Sequence, residues 1–197
     1  VEGLAGFLIA AFALTGSPGP NTLSLVAIGS AYGRKRGLRY MLGLNLGMVL
    51  VIGITGSGIS GLLFAVPFVA PIVIGIAALY FVYLAFKIAT APPLKEAESS
   101  TKDPKWFEGV IISLLNPKAY AAMAALFSSA MLLSTNLWIE GLFKAGILVL
   151  VIVVVNVAWL LLGAALTPYF RNERSSRIIN IGFAILLLVS VASTLIF

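Results

Sequence analysis

Hydrophobic and polar positions along this chain come in blocks rather than in alternation. Apolar runs cover residues 3–31, 38–64, 68–91, 107–134, 138–168 and 178–197. Each is long enough to cross about 30 Å of hydrocarbon, which takes about 20 helical residues. The pattern predicts an all-α integral membrane protein with six transmembrane helices. Between the second and third runs only "FAVP", around Pro67, interrupts the apolar sequence, with no charge to mark a turn. The one linker-like segment, "APPLKEAESSTKDPK" from Ala91 to Lys105, is too polar to lie in lipid. It divides the chain into a first three-helix unit at 1–91, a linker at 92–105 and a second three-helix unit at 106–197. Three is odd, so the second unit must enter the membrane upside down relative to the first, as in an inverted repeat.

Two of the predicted spans contain helix breakers. Span one carries "LTGSPGPNTLSLV", Leu14 to Val26, with Pro18 and Pro20 between Gly16 and Gly19; span four carries "SLLNPKAYA", with Pro117 after Asn116. Asn116 lies about 12 residues beyond Trp106, or roughly 18 Å at 1.5 Å per residue, near the midplane. Ser17-Pro18 and Asn116-Pro117 both read as helix starts, a good N-cap residue followed by proline at the first helical position. An interior proline costs roughly 3 kcal/mol, and freed backbone groups are tolerated in a membrane only where protein or a cavity satisfies them. Spans one and four are therefore expected to break at their proline motifs and face a shared cavity. In an inverted pair both half-helices then begin near the midplane, and two electropositive ends favour an anionic group there.

Lys118 would add a full charge to that place. A lysine at the bilayer centre costs about 2.5 to 3.5 kcal/mol even on insertion scales, and no acidic residue of the chain falls at that depth. Its partner is expected to be a substrate carboxylate; the alternatives are main-chain carbonyls or an outward reach to the interface. The expected substrate-binding set is Ser17, Pro18, Gly19, Pro20, Asn21, Asn116, Pro117 and Lys118, with Asn45 of span two and Asn156 of span five as further amides that either line the cavity or join helices. Asn180 lies too near a span end to rank with them.

Composition agrees with the membrane class and narrows the chemistry. The chain is 60% hydrophobic and 10% charged over 197 residues, with a mean hydropathy of +1.08, where a soluble domain carries roughly 25% charge. It has no cysteine and no histidine. Serine–histidine hydrolysis, thiol relays, haem ligation and Cys/His metal sites thus lose their usual groups, so no catalytic residue, cofactor or metal is expected. The net charge of +6 comes from short loops, which points to topology signals and anionic lipid rather than nucleic acid. Arg34, Lys35, Arg36 and Arg39 follow span one, Lys87, Lys95, Lys102 and Lys105 follow span three, and Arg171, Arg174 and Arg177 follow span five. The opposite connections carry only Glu2 and Glu140, with Lys144 one turn inside span five and free to reach outward. The three basic loops are predicted to be cytoplasmic and both termini outside. Span one lacks the positive n-region of a signal peptide and is expected to remain in the membrane.

At the two proline motifs the sequence resembles the LysE/RhtB superfamily of bacterial amino-acid exporters. The matching elements are a "[TS]PGPN" motif at Ser17 to Asn21, a basic loop between Gly33 and Gly37, a glycine-rich second span with Gly43 and Gly47, and an "NPK" element at Asn116 to Ala119. The resemblance covers essentially the whole chain. It implies export of amino acids or close derivatives across the bacterial cytoplasmic membrane, by secondary transport driven by the proton gradient. In some members an acidic residue follows the glycine matched by Gly47; here that position is Met48, and the usual proton carriers are missing from the depths of the spans.

Weaker signals read as packing. "GLNLG", Gly43 to Gly47, is a GxxxG pattern that allows close approach within one chain or between two copies in a homodimer. "GSGISG", Gly56 to Gly61, follows no strand and is no dinucleotide loop. Tyr80, Tyr83, Tyr120 and Trp159 are expected in helix packing or cavity walls, and Trp106, Trp138 and Tyr169 at the interfaces. The function expected is a carrier for a small solute. The alternatives are an exporter of another solute or of a cation, and a non-transporting membrane component.

Overall fold

A computed structural model describes residues 2–58, 69–90, 104–129, 131–133, 136–166, 168–169 and 172–196. The turn around Pro67, most of the 92–105 linker and Arg171 fall outside these residues. The regular elements among the described residues are all helices, with no strand: α1 Glu2–Gly16, α2 Pro20–Gly56, α3 Val69–Ala89, α4 Trp106–Leu115, α5 Pro117–Phe127, α6 Leu137–Ala165 and α7 Glu173–Ile196. By length and composition α2, α6 and α7 can each cross a membrane, and α4 with α5 forms a further, bent candidate.

α2 is one continuous helix only in name. At Gly33 the backbone leaves the helical region for φ 72°, ψ 173°, a conformation glycine adopts without a Cβ penalty. Asn21 Nδ2 lies 3.1 Å from Met48 Sδ, whereas a straight helix would separate residues 27 apart by about 40 Å. The two arms, 20–32 and 34–56, are therefore folded against each other. The basic loop expected between 31 and 38 shrinks to this single residue, and Arg34, Lys35 and Arg36 lie in helix.

The bundle buries a polar cluster within an apolar core and is apolar outside. Asn21, Ser24, Ser113, Asn116 and Asn156 are buried alongside Leu25, Leu44, Phe81, Met123 and Leu148, while Ile9, Leu79, Leu142 and Leu150 are about 70% exposed. In water such an outer surface would drive association; in lipid it is the solvated face.

Glycines set the closest approaches. A Cβ at Gly43 would overlap the Trp106 carbonyl, and one at Gly163 would overlap the Val26 carbonyl. The arm 34–56 thus lies directly on α4, and the arm 20–32 directly on α6. The GxxxG pair is used within the chain, since Gly47 likewise faces Ser113 and Val110.

Candidate functional site

α1 ends at Gly16, and α2 starts at Pro20 rather than at Pro18. Ser17-Pro18 is thus not the helix start that the sequence suggests. The residue before a proline is driven into extended backbone, and Gly19, with φ −172° and ψ −179°, delays the helix until Pro20 takes the first position. Ser17 turns back and donates its hydroxyl to the Leu14 carbonyl at 2.9 Å.

The break leaves carbonyls that need donors, and three other helices supply them. Trp159 Nε1 of α6 donates to the Gly16 carbonyl at 3.2 Å. Lys118 Nζ of α5 donates to the Ser17 carbonyl at 2.9 Å and to the Pro18 carbonyl at 2.7 Å. Ser190 of α7 also donates to the Pro18 carbonyl, at 3.2 Å. The Gly19 N–H donates to Thr22 Oγ1 at 2.9 Å. Lys118 therefore has the main-chain partners that the sequence left as an alternative to a ligand. Two of the three N–H donors of its ammonium are used there.

The second break turns the chain by 64° between α4 and α5. Asn116, extended at φ −82° and ψ 102°, holds the N-cap position of α5, but its side chain makes no cap bond. It reaches instead across the bundle, where Asn116 Nδ2 donates to Asn21 Oδ1 at 3.0 Å. Asn21 Nδ2 donates to Ser113 Oγ at 3.2 Å, and Ser113 Oγ donates to the Leu44 carbonyl at 2.9 Å. One relay thus ties the start of α2, the start of α5, α4 and the arm 34–56 together.

The helix starts at the breaks differ from those of α6 and α7. At α6 the Asn136 side chain accepts from the Trp138 N–H, and at the start of α7 Asn172 accepts from the Arg174 and Ser175 N–H groups. Neither Gly19 nor Asn116 supplies such a cap to α2 or α5. The first-turn amides of two helices therefore meet without a side-chain oxygen of their own caps.

A cavity lies at this meeting point. Ser17, Gly19, Asn21, Asn116, Lys118 and Asn156 line it. Pro18, Pro20 and Pro117 shape the backbone around it without lining it. Asn45 does not reach it either; its Oδ1 accepts from Asn156 Nδ2 at 2.6 Å, so this pair joins α2 to α6 as well as bringing Asn156 to the wall. Apart from Thr15 and Thr22 the remaining wall is apolar, with Leu14, Met48, Met123, Ile152 and Val155 among its residues.

Three contributors were not singled out by sequence. Ser113, Thr22 and Ser190 are ordinary small polar residues in apolar runs, and only their register relative to the breaks could have marked them. Lys144 also departs from its expected outward reach. It is 1% exposed, lies 3.2 Å from Glu140 Oε1, and donates to the carbonyls of Ser129 and Phe127 at 3.1 and 3.3 Å. Glu140 in turn accepts the N–H groups of Leu132 and Leu133 at 2.8 and 2.7 Å. The chain beyond α5 folds over this pair, which removes the route to the interface.

The chain is similar over most of its length to known efflux proteins. It is 28% identical over 177 residues to the cysteine/O-acetylserine efflux protein of Escherichia coli O1:K1 / APEC, covering 87% of this chain and 86% of that one. It is 29% identical over 178 residues to the protein of the same name from Escherichia coli O157:H7, covering 87% of each. Against the leucine efflux protein of Enterobacter sp. (strain 638) the identity is 26% over 197 residues, covering 96% of this chain and 92% of that one. No solved structure matches the chain. The LysE type translocator model matches residues 12–197, a span that contains both proline breaks and the cavity between them, and the chain belongs to that family of transporters.

Proposed function

We propose that this protein is a secondary transporter that exports amino acids or close derivatives across the inner membrane. The substrate carboxylate is held between the starts of α2 and α5 and the third N–H of Lys118. The observation that carries this is the Asn116–Asn21 contact of 3.0 Å, which brings two helix starts without side-chain caps to one cavity beside a lysine. Oriented amides, two macrodipoles and a cation favour an anion there.

In this reading the chain crosses the membrane six times, with α1 and the arm 20–32 forming span one and α4 with α5 forming span four. Residues 1–91 and 106–197 are inverted repeats, with the linker 92–105 in the cytoplasm and both termini outside. Support comes from which elements pair. Asn21 of span one bonds Asn116 of span four, and Asn45 of span two bonds Asn156 of span five. Each bond joins equivalent elements of the two halves, as expected for residues near a pseudo-twofold axis. Glycine contacts place span two on span four and span one on span five, a pairing that the same axis would exchange.

The cavity has a volume of about 40 Å3, far short of the roughly 300–1,000 Å3 of a small-molecule pocket. A substrate of amino-acid size enters only after the halves rock apart, so the conformation is a closed one of an alternating-access cycle. Counterflow in proteoliposomes with a panel of labelled amino acids tests the assignment. Exchange with at least one member is expected; exchange with none would favour another solute or a cation.

A further inference from the structure

The Asn116 side chain has one bond more to make. Asn116 is 4% exposed and lines the cavity, yet its Oδ1 accepts no hydrogen bond. Among the described residues that line the cavity it is the one buried side-chain polar atom in that condition. The relay fixes which end of the amide is left over. The Ser113 hydroxyl gives its proton to the Leu44 carbonyl, so towards Asn21 it acts as an acceptor and takes an N–H from Asn21 Nδ2. That leaves Asn21 with its oxygen facing Asn116, and Asn116 must answer with its nitrogen. Exchanging the ends of either amide would set like groups against each other.

A buried amide oxygen without a donor costs free energy, and the residue that carries this one lines the same cavity as Lys118 and the two helix starts. A plain anion would not relieve it, because an anion brings no donor. From this unmatched acceptor we infer that Asn116 Oδ1 receives the substrate's α-ammonium group, so the site selects zwitterions with a free amine over simple carboxylates of the same shape. The inference rests on the carrier reading above. It divides the substrate's head between two partners, with the carboxylate at Lys118 and the ammonium at Asn116. The apolar wall formed by Leu14, Met123, Ile152 and Val155 is left for an aliphatic side chain.

The test is leucine counterflow by the full chain in proteoliposomes, competed by unlabelled leucine and by 4-methylpentanoate, which keeps the carboxylate and side chain but lacks the amine. Leucine is expected to compete better by at least about tenfold, the worth of a hydrogen bond to a charged group. Asn116→Ala should bring the two competitors together. Equal competition in the unaltered protein overturns the inference while leaving the carrier reading in place. So does a full preference surviving in Asn116→Ala. Absence of counterflow by the unaltered protein with every amino acid of the panel overturns the carrier reading, and this inference with it.

Discussion

Lys118 Nζ donates to the Pro18 carbonyl at 2.7 Å, so the cation that opens one half-helix closes the end of another. The bond joins residues 100 apart in sequence and gives the lysine two duties. It neutralises the carbonyl end of α1, where a cation is favourable, and it leaves one donor for a ligand. Lys118→Met is therefore expected to abolish counterflow and also to destabilise the protein, by about 1.5–3 kcal/mol for a lost bond to a charged donor. Ser190, which also donates to the Pro18 carbonyl, reduces that loss. Thermal unfolding in detergent, run beside counterflow, separates the two effects. Transport at the unaltered rate in Lys118→Met would remove this residue from the site.

The closest helix contact is tested at Gly43, where a Cβ would overlap the Trp106 carbonyl. The obstacle is main chain at the start of α4, which cannot rotate away as a side chain would. Gly43→Ala is expected to cost at least about 1–3 kcal/mol, the usual range for overpacking. Gly53 lies further along the same arm with nothing within 4 Å of its Cβ position. There Gly53→Ala should stabilise by about 0.5–1 kcal/mol through helix propensity alone. Equal unfolding temperatures for the two variants would contradict the packing of α2 on α4.

The breaks were legible in the sequence because their cause is local: proline removes an N–H and constrains the residue before it, whatever surrounds it. Their exact form was less so, since Pro18 and Pro20 compete for the first helical position and only the extended backbone at Gly19 decides between them. The partners across the bundle were not legible. Asn21 and Asn116 are 95 residues apart, and neither residue type nor spacing states that they meet. Lys144 was misread for a related reason. Its depth can be counted along the helix, but not the return of residues 131–133 over it to complete a buried ion pair with Glu140.

That ion pair makes a prediction with a definite sign. Lys144 and Glu140 are each bonded to the chain that follows α5, so removing either charge strands the other in a buried place. Lys144→Met and Glu140→Gln should each lower the unfolding temperature, and the double variant should lose less than the two losses added together. Simple additivity in such a cycle would mean that the two side chains do not act as a pair. Counterflow in the same variants reads whether the outer end of α5 must stay fastened for transport.

Orientation can be tested without removing any native thiol, because the chain has no cysteine. Leu38 and Leu137 are both exposed, at 45% and 76%, and they flank opposite ends of the proposed spans. Leu38→Cys keeps the four basic residues Arg34, Lys35, Arg36 and Arg39 that set the predicted topology, so the label does not disturb what it reports. A membrane-impermeant maleimide should reach Leu137→Cys in intact spheroplasts and Leu38→Cys only after permeabilisation. The positive-inside bias is the physical basis of that expectation. The reverse labelling pattern would invert the predicted orientation of the chain in the membrane, whereas labelling of both positions from one side would break the six-span count itself.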